Sequence, residues 1–343
     1  MQVTWKSPSN IALVKYWGKH GHQLPNNPSV SFTLQQCYSE TTVQISPKEV
    51  KSNDLHLRFF FEGKENMAFR LRILQFMESI LPYFRWLSEV EVTIHSANSF
   101  PHSAGIASSA SALSSLALCF MQLDLHRKGV KKAAASDWRK ASEYARIGSG
   151  SACRSVYGYA AAWGKTTAVK GSSDRYAVPI ELHPTFRKFQ DTILIAAGAE
   201  KKVSSRAGHS LMEKNPYAAA RYEQARGHMK KLIPALQQGD LETFIQITEQ
   251  EALTLHALMM ASNPGYILIN ENTLQLIDLI RRYREKTKIP VCFTLDAGPN
   301  IHLLYPQRYS EKINTWIGEE LSSYCENGRF IQDHVGKGPQ LIR

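Results

Sequence analysis

Strand-type and helix-type segments fall in separate blocks along these 343 residues. Within the first hundred, VSFTL, TTVQI, LHLRFFF and VEVTIH are short and either alternate or are β-branched. In 55–61 the alternation of Leu55, Leu57, Phe59 and Phe61 puts one apolar face on a sheet. ENMAFRLRILQFMESI (65–80) breaks the series with apolar residues at helical spacing. Helical patterns dominate 104–146, interrupted near Arg127-Lys128-Gly129. Strand patterns return in VYGYAAAW, RYAVPIEL and DTILIAA, and 204–286 reads as mainly helical. VCFTL, IHLLY and the piece around Phe330-Ile331 supply the last strands. Such blocks predict an α+β fold and argue against the regular βαβα beat of a doubly wound sheet. At this length and 43% apolar, the chain can bury a large core in one domain or two. A boundary near Pro184, where strand signals stop and restart around HPTFRKFQ, divides it into 1–184 and 185–343. There is no internal repeat and no low-complexity tract.

The start MQVTWKSPSN has no apolar core behind a basic segment, and no run approaches the roughly 20 apolar residues of a membrane span. SALSSLALCFM (111–121) is too short and too rich in Ser. Cys37, Cys119, Cys153, Cys292 and Cys325 are scattered, with no C-x-x-C, which predicts reduced thiols in a cytoplasm. The formal charge is +11, but Lys131-Lys132, Lys201-Lys202, Lys230-Lys231 and Arg281-Arg282 are dispersed. Small polyanionic substrates therefore rank ahead of simple solubility, and both ahead of nucleic acid.

Five segments carry donor or acid chemistry, each with a plainer reading beside it. In SFPHSAGIASSASALSSLA (99–117) small and hydroxylated residues lead into a helix, which suits an anion at free N–H groups; a Ser-capped, tightly packed helix would look the same. IGSGSACRSVYGYAAAW (147–163) presents Arg154 from a Gly/Ser turn beside a strand, either as a clamp for a carboxylate or phosphate or as a surface ion pair. NIALVKYWGK (10–19) sets Lys15 and Lys19 around Tyr16-Trp17-Gly18, either to hold a phosphate chain or as solvated lysines at an aromatic-bearing strand end, and KKVSSRAGHS (201–210) offers Ser205 and Arg206 at a helix start, for an anion or as a plain capping Ser. In CFTLDAGPN (292–300), Asp296 ends an apolar run against a sharp turn; it either starts that turn or presents a carboxylate. Donor-rich turns plus one isolated acid form the set that phosphoryl transfer needs. His20 and His22 read as solvated loop residues and His256 as a packed helical one, with no zinc-site spacing and no nucleophile elbow.

These motifs resemble the diphosphomevalonate decarboxylase family of the GHMP kinase superfamily. NIALVKYWGK, SFPHSAGIASSASA, GSGSACRSVYG, VSSRAG, EALTLHALMM, FTLDAGPN and the closing VGKGPQ occur in that family's order, from residue 10 to 340. The resemblance implies the GHMP-kinase fold: an N-terminal half like ribosomal protein S5 domain 2, a C-terminal ferredoxin-like α/β sandwich, and a site in the cleft between. It implies ATP and Mg2+, phosphorylation of the 3-hydroxyl of mevalonate 5-diphosphate, loss of carbon dioxide, and isopentenyl diphosphate as product. It also implies a homodimer.

Carried over residue by residue, Asp296, Arg154 and Lys15 are the implied catalytic group: a carboxylate at the 3-hydroxyl, a clamp on the substrate carboxylate and a charge stabiliser. Tyr16, Trp17, Gly18, Lys19, Ser149, Gly150, Ser151, Ala152, Cys153, Ser205 and Arg206 map to substrate positions, and Arg72 maps more loosely to the diphosphate. Ser103, Ala104, Gly105, Ser108 and Ser109 belong to the ATP phosphate loop, with magnesium bridging nucleotide phosphates rather than held by protein ligands. Departures are His20-Gly21-His22 where an acidic residue is usual, Pro28 in place of a Ser, His102-Ser103 in place of Thr-Ala, and Ala112 in place of a Gly. Alternatives are a relative acting on mevalonate 5-phosphate, a 3-kinase that does not decarboxylate, and a basic RNA-binding protein on the S5-like fold.

Overall fold

The computed structural model describes residues 1–49, 52–101, 106–197 and 205–343, with backbone alone for 205–207. From the N-terminus come β1 (Gln2–Val14), the short pair β2 (Lys19–His20) and β3 (Leu24–Pro25), the long β4 (Ser29–Pro47), β5 (His56–Phe61), β6 (Lys64–Glu65), helix α1 (Met67–Ile80) and β7 (Val90–Asn98). Helices α2 (Ser108–Arg127) and α3 (Ala135–Gly148) follow, then a 3-10 turn over Gly150–Val156, β8 (Ala160–Trp163), β9 (Val178–Pro179), α4 (Pro184–Arg187) and β10 (Phe189–Leu194). The rest is α5 (Ser205–Leu211), α6 (Ala218–Gln238), α7 (Leu241–Met260), α8 (Glu271–Thr287), β11 (Cys292–Thr294), β12 (Ile301–Pro306), α9 (Ser310–Glu319), β13 (Phe330–His334) and β14 (Gln340–Leu341).

The first sheet runs β14-β1-β4-β7-β5-β6, with β8 also on β4 and β9 on β8; the second runs β11-β12-β10-β13. Pairing within these two sheets is antiparallel except between β5 and β7. The burial of β4 explains how the layers meet. From Cys37 to Ile45 buried and more exposed residues alternate, the pattern of a sheet with one wet face. From Ser29 to Leu34 every residue is buried, because that end has protein on both faces. One core packs Val3, Trp5, Val43 and Ile94 under Met77, Phe120 and Tyr144 of α1, α2 and α3. A second gathers Ile11, Val14 and Phe32 with Phe186, Phe189, Leu232 and Phe244. A third lies under α8 and α9, around Ile280, Phe293, Leu303 and Trp316. β1 and β4 thus run through the first two cores.

Helix α2 shows what its serines do. Ser115 donates to the Trp5 carbonyl at 2.8 Å, and Ser114 and Ser111 meet the Ser7 and Ser39 hydroxyls at 2.6 and 2.7 Å. Small side chains let the helix lie close on β1 and β4, and each of these buried hydroxyls has a partner. Near the other end of the chain, Asp333 on β13 accepts the backbone N–H groups of Gln35, Gln36 and Cys37 at 2.9, 2.8 and 2.7 Å. That one carboxylate ties the second sheet to β4.

Candidate active site

Lys15 is the first residue past β1, and it is 2% exposed. Its backbone is held on both sides: its N–H donates to Glu251 on α7 at 2.8 Å, and its carbonyl accepts from Asn27 at 2.9 Å and Arg221 on α6 at 3.1 Å. Glu251 is itself fully buried and takes both Arg221 guanidinium nitrogens, at 2.7 and 2.5 Å, and His228 at 2.5 Å. With its main chain pinned, Lys15 points its Nζ to Asp296 Oδ1 at 3.0 Å. Burial lowers the Lys15 ammonium below its usual range, Arg154 adds to that, and Asp296 and Glu251 oppose it.

Asp296 lies two residues beyond the end of β11. Its carbonyl meets His256 Nε2 at 3.1 Å. The same carbonyl accepts the Gly298 N–H at 2.7 Å, a bond that closes the turn carrying the carboxylate out of the strand. Neighbouring Ala297 packs with Trp17, Leu255 and Met259, so the turn has an apolar floor. The Asp296 side chain is 28% exposed, against 2% for its lysine partner, so the acid stands at the rim of the pair.

Arg154 sits in the 3-10 turn, not in a surface ion pair, and is 2% exposed. Its Nε donates to Ser31 at 2.9 Å, one Nη to Ser29 at 2.7 Å and the other to Asn10 at 3.3 Å. All three partners are neutral, and no carboxylate pairs with it among the described residues. A guanidinium has five N–H donors, so two remain for an anion. Burial pulls it below its usual value, while the Asp296 charge acts the other way. Asn10 reaches it because the register of β1 on β4 shifts between Pro8 and Asn10, a bulge that re-aims a side chain.

The rest of the wall comes from Tyr16 to Lys19 and from Ser149 to Cys153. Tyr16 lies 4.6 Å from Trp163, and its buried hydroxyl has no partner among the described residues. A Cβ on Gly150 would stand 2.9 Å from that hydroxyl, so only glycine leaves it room. Gly18 has φ +96°, and a Cβ there would meet the Tyr222 hydroxyl at 2.3 Å. Lys19 Nζ donates to Gln23 at 3.1 Å. The Ser149 and Ser109 hydroxyls meet at 3.2 Å, which brings the α2 entry beside the 3-10 turn. The Ser151 carbonyl accepts from Asn10, Ala152 is packed in the first core, and Cys153 is buried beside Trp163 with its thiol pushed up to about 12 by burial. Arg72 is exposed on α1 and makes no hydrogen bond or ion pair with the described residues.

Helix α2 opens at Ala107, in left-handed backbone and with no side-chain cap, so Ser108 and Ser109 begin a helix whose first N–H groups suit phosphate. Ser103, Ala104 and Gly105 lie outside the described residues, as do the side chains of Ser205 and Arg206. Among the described residues no group of three His, Cys, Asp or Glu could hold a metal.

Sequence reasoning missed the supports. Ser29, Ser31 and Asn10 hold Arg154, and Glu251, Arg221 and His228 hold Lys15. Asn10 and Glu251 do open two of the quoted motifs, but their partners lie 144 and 236 residues away. No local spacing announces such pairs.

Comparison with known proteins gives one family for the whole chain. A family model described as diphosphomevalonate decarboxylase-like N-terminal domain matches residues 7–177, and one described as mevalonate 5-diphosphate decarboxylase C-terminal domain matches 192–337. Diphosphomevalonate decarboxylase of Ganoderma lucidum is 32% identical over 338 residues, 91% of this chain and 80% of that protein. That of Danio rerio is 30% identical over 325 residues, 90% of this chain and 76% of its own. The crystal structure of mevalonate diphosphate decarboxylase from Staphylococcus aureus superposes with a TM-score of 0.85 at 28% identity, covering 100% of this chain and 98% of that one. MDDEF in complex with MVAPP, AMPPCP and magnesium gives 0.84 at 28% identity, covering 100% and 99%.

Proposed function

The chain belongs to the diphosphomevalonate decarboxylase family, and we propose that its cleft works on mevalonate 5-diphosphate and ATP with the residues described above in the following roles. The reaction is ATP-dependent decarboxylation to isopentenyl diphosphate. Asp296 faces the 3-hydroxyl, as base or orienting group, while the hydroxyl oxygen attacks the γ-phosphorus of ATP and ADP leaves. Lys15, 3.0 Å from Asp296, favours the charged carboxylate and offsets charge on the transferring phosphoryl group. The C3–O bond then breaks with its electron pair on phosphate, the C1–C2 pair becomes the C2=C3 bond, and carbon dioxide departs.

The observation that carries this reading is Arg154: buried, charged and bonded only to neutral groups. A guanidinium so placed suits a carboxylate supplied by the substrate. Positive charge develops at C3 as phosphate leaves, so Arg154 acts by holding the carboxylate in line rather than by adding positive field. The diphosphate falls to Tyr16, Lys19, Ser149, Ser151, Ser205 and Arg206, with Arg72 reaching in from α1; Trp17, Gly18, Gly150, Ala152 and Cys153 shape the wall and lend backbone. The ATP phosphates fall to the loop Ser103-Ala104-Gly105 and to Ser108 and Ser109. Magnesium would be held by the nucleotide rather than by carboxylates of the described residues, and would supply positive charge that offsets the phosphates.

The division at 184/185 is part of this proposal. Its support is that the second sheet lies wholly beyond Pro184, and among the later strands only β14 returns to the first sheet. A homodimer and a cytoplasmic location complete it, the first checked by light scattering at twice the chain mass. One coupled assay tests the whole: with ATP, magnesium and either mevalonate 5-diphosphate or 5-phosphate, ADP and carbon dioxide appear in equal amounts from the diphosphate. ADP without carbon dioxide would make the protein a kinase, and neither product from either substrate would reject the reading.

A further inference from the structure

His209 lies on α5, one helical turn after Ser205, and is 9% exposed. Its Nδ1 accepts the Gly18 N–H at 3.0 Å. That bond fixes the tautomer, so the proton sits on Nε2, for which no acceptor exists among the described residues. The ring makes two tilted aromatic contacts: Tyr16 lies 4.3 Å away at 39° and Trp17 4.6 Å away at 36°. Burial, with the Lys19 charge nearby, holds the imidazole down at about 3, so it is neutral at any working pH.

The turn it grips is the one that needs gripping. Gly18 is in left-handed backbone at φ +96° and lies between Trp17 and Lys19. Without an acceptor its N–H would be a buried, unpaired donor in a turn that only glycine adopts readily. Tyr16 has a buried hydroxyl with no partner among the described residues. Trp17 has a buried Nε1 in the same condition. The turn is thus held by the imidazole bond on the Gly18 N–H, by the Asn26 N–H on the Gly18 carbonyl at 3.2 Å and by the two ring contacts, rather than by bonds from its own aromatic side chains.

We propose that His209 is a positioning residue for the diphosphate end of the substrate: as a neutral imidazole in ring contact with Tyr16 and Trp17, it fixes the Gly18 turn and so aims Tyr16 and Lys19. It touches neither of the reacting groups, Asp296 and Arg154, so it governs binding of one substrate and not the chemical step. The proposal rests on the functional reading above, and one of its readouts does not.

The test compares the wild type with His209→Asn, whose amide oxygen can replace Nδ1 as acceptor, and His209→Leu, which fills the space without one. The expected KM for mevalonate 5-diphosphate rises about tenfold in His209→Leu, with kcat and the KM for ATP within about twofold, and His209→Asn recovers most of the loss. Backbone amide exchange at Gly18 speeds up in His209→Leu and stays slow in His209→Asn. Equal KM values for the Asn and Leu variants, or a parallel rise in the KM for ATP, would overturn the proposal. So would unchanged Gly18 exchange in His209→Leu. A wild type that released no carbon dioxide would instead sink the functional reading, and the exchange comparison would still decide the role of His209.

Discussion

Asp296 shows how far nine residues can be read. CFTLDAGPN allows a turn-starting acid or a presented carboxylate; in the structure the turn bond comes from the Asp296 backbone carbonyl, which accepts the Gly298 N–H, while the side chain meets Lys15. Nothing local tells the second role, because the lysine is 281 residues away. Asp296→Asn keeps the shape and removes the base, so turnover is expected to fall about 10³-fold or more, read as carbon dioxide released per enzyme. Near-normal turnover would remove Asp296 from the mechanism. Arg154 was legible as a fork but not as a buried one. Arg154→Lys gives up the fixed fork that spans three neutral partners, and a drop in kcat of about 10²-fold is expected. The pH dependence follows from Lys15. Its ammonium is present at low pH and lost as pH rises through a value lowered from 10.5 by burial. The alkaline limb of kcat is therefore expected below the pH at which a free lysine titrates, and an alkaline limb at or above that pH would take Lys15 out of the charge balance.

At the level of elements, period and composition carried the strands and helices well. VEVTIH, ENMAFRLRILQFMESI and IHLLY became β7, α1 and β12. RYAVPIEL did not become a full strand; only Val178–Pro179 pairs, with β8. GSGSACR, read as a Gly/Ser turn, proves to open a continuous 3-10 turn that buries Cys153 and Arg154 together. The junction of α6 and α7 could not be read, because Glu251 and Arg221 look like ordinary helical charges. Burial by itself would raise the Glu251 carboxyl, but the Arg221 charge, with bonds from His228, Arg221 and the Lys15 N–H, holds it at about 2. A lowered carboxylate stabilises the fold above its ordinary 4.5, and that contribution is lost as pH falls from there toward about 2. Glu251→Gln leaves Arg221 charged and buried without its partner, a loss on the order of 3 kcal/mol, expected as a lower urea midpoint. A midpoint equal to wild type would mean that the Arg221 charge is solvated some other way.

On the scale of the whole molecule, the α+β class came from the blocks alone, while the GHMP-kinase fold needed the motifs. The dispersed charge of +11 suits two polyanionic substrates, so kcat/KM for both is expected to fall with rising salt. The course of β1 and β4 through two cores has one more consequence. A hinge between the proposed 1–184 and 185–343 units would have to part Ile11, Val14 and Phe32 from Phe186, Phe189 and Phe244, which share one core. Swinging them apart would shear a close-packed aromatic seam and forfeit its dispersion attraction in a single step. Substrates are therefore expected to come and go without the two proposed units parting, and small-angle scattering should record the same radius of gyration with and without substrates.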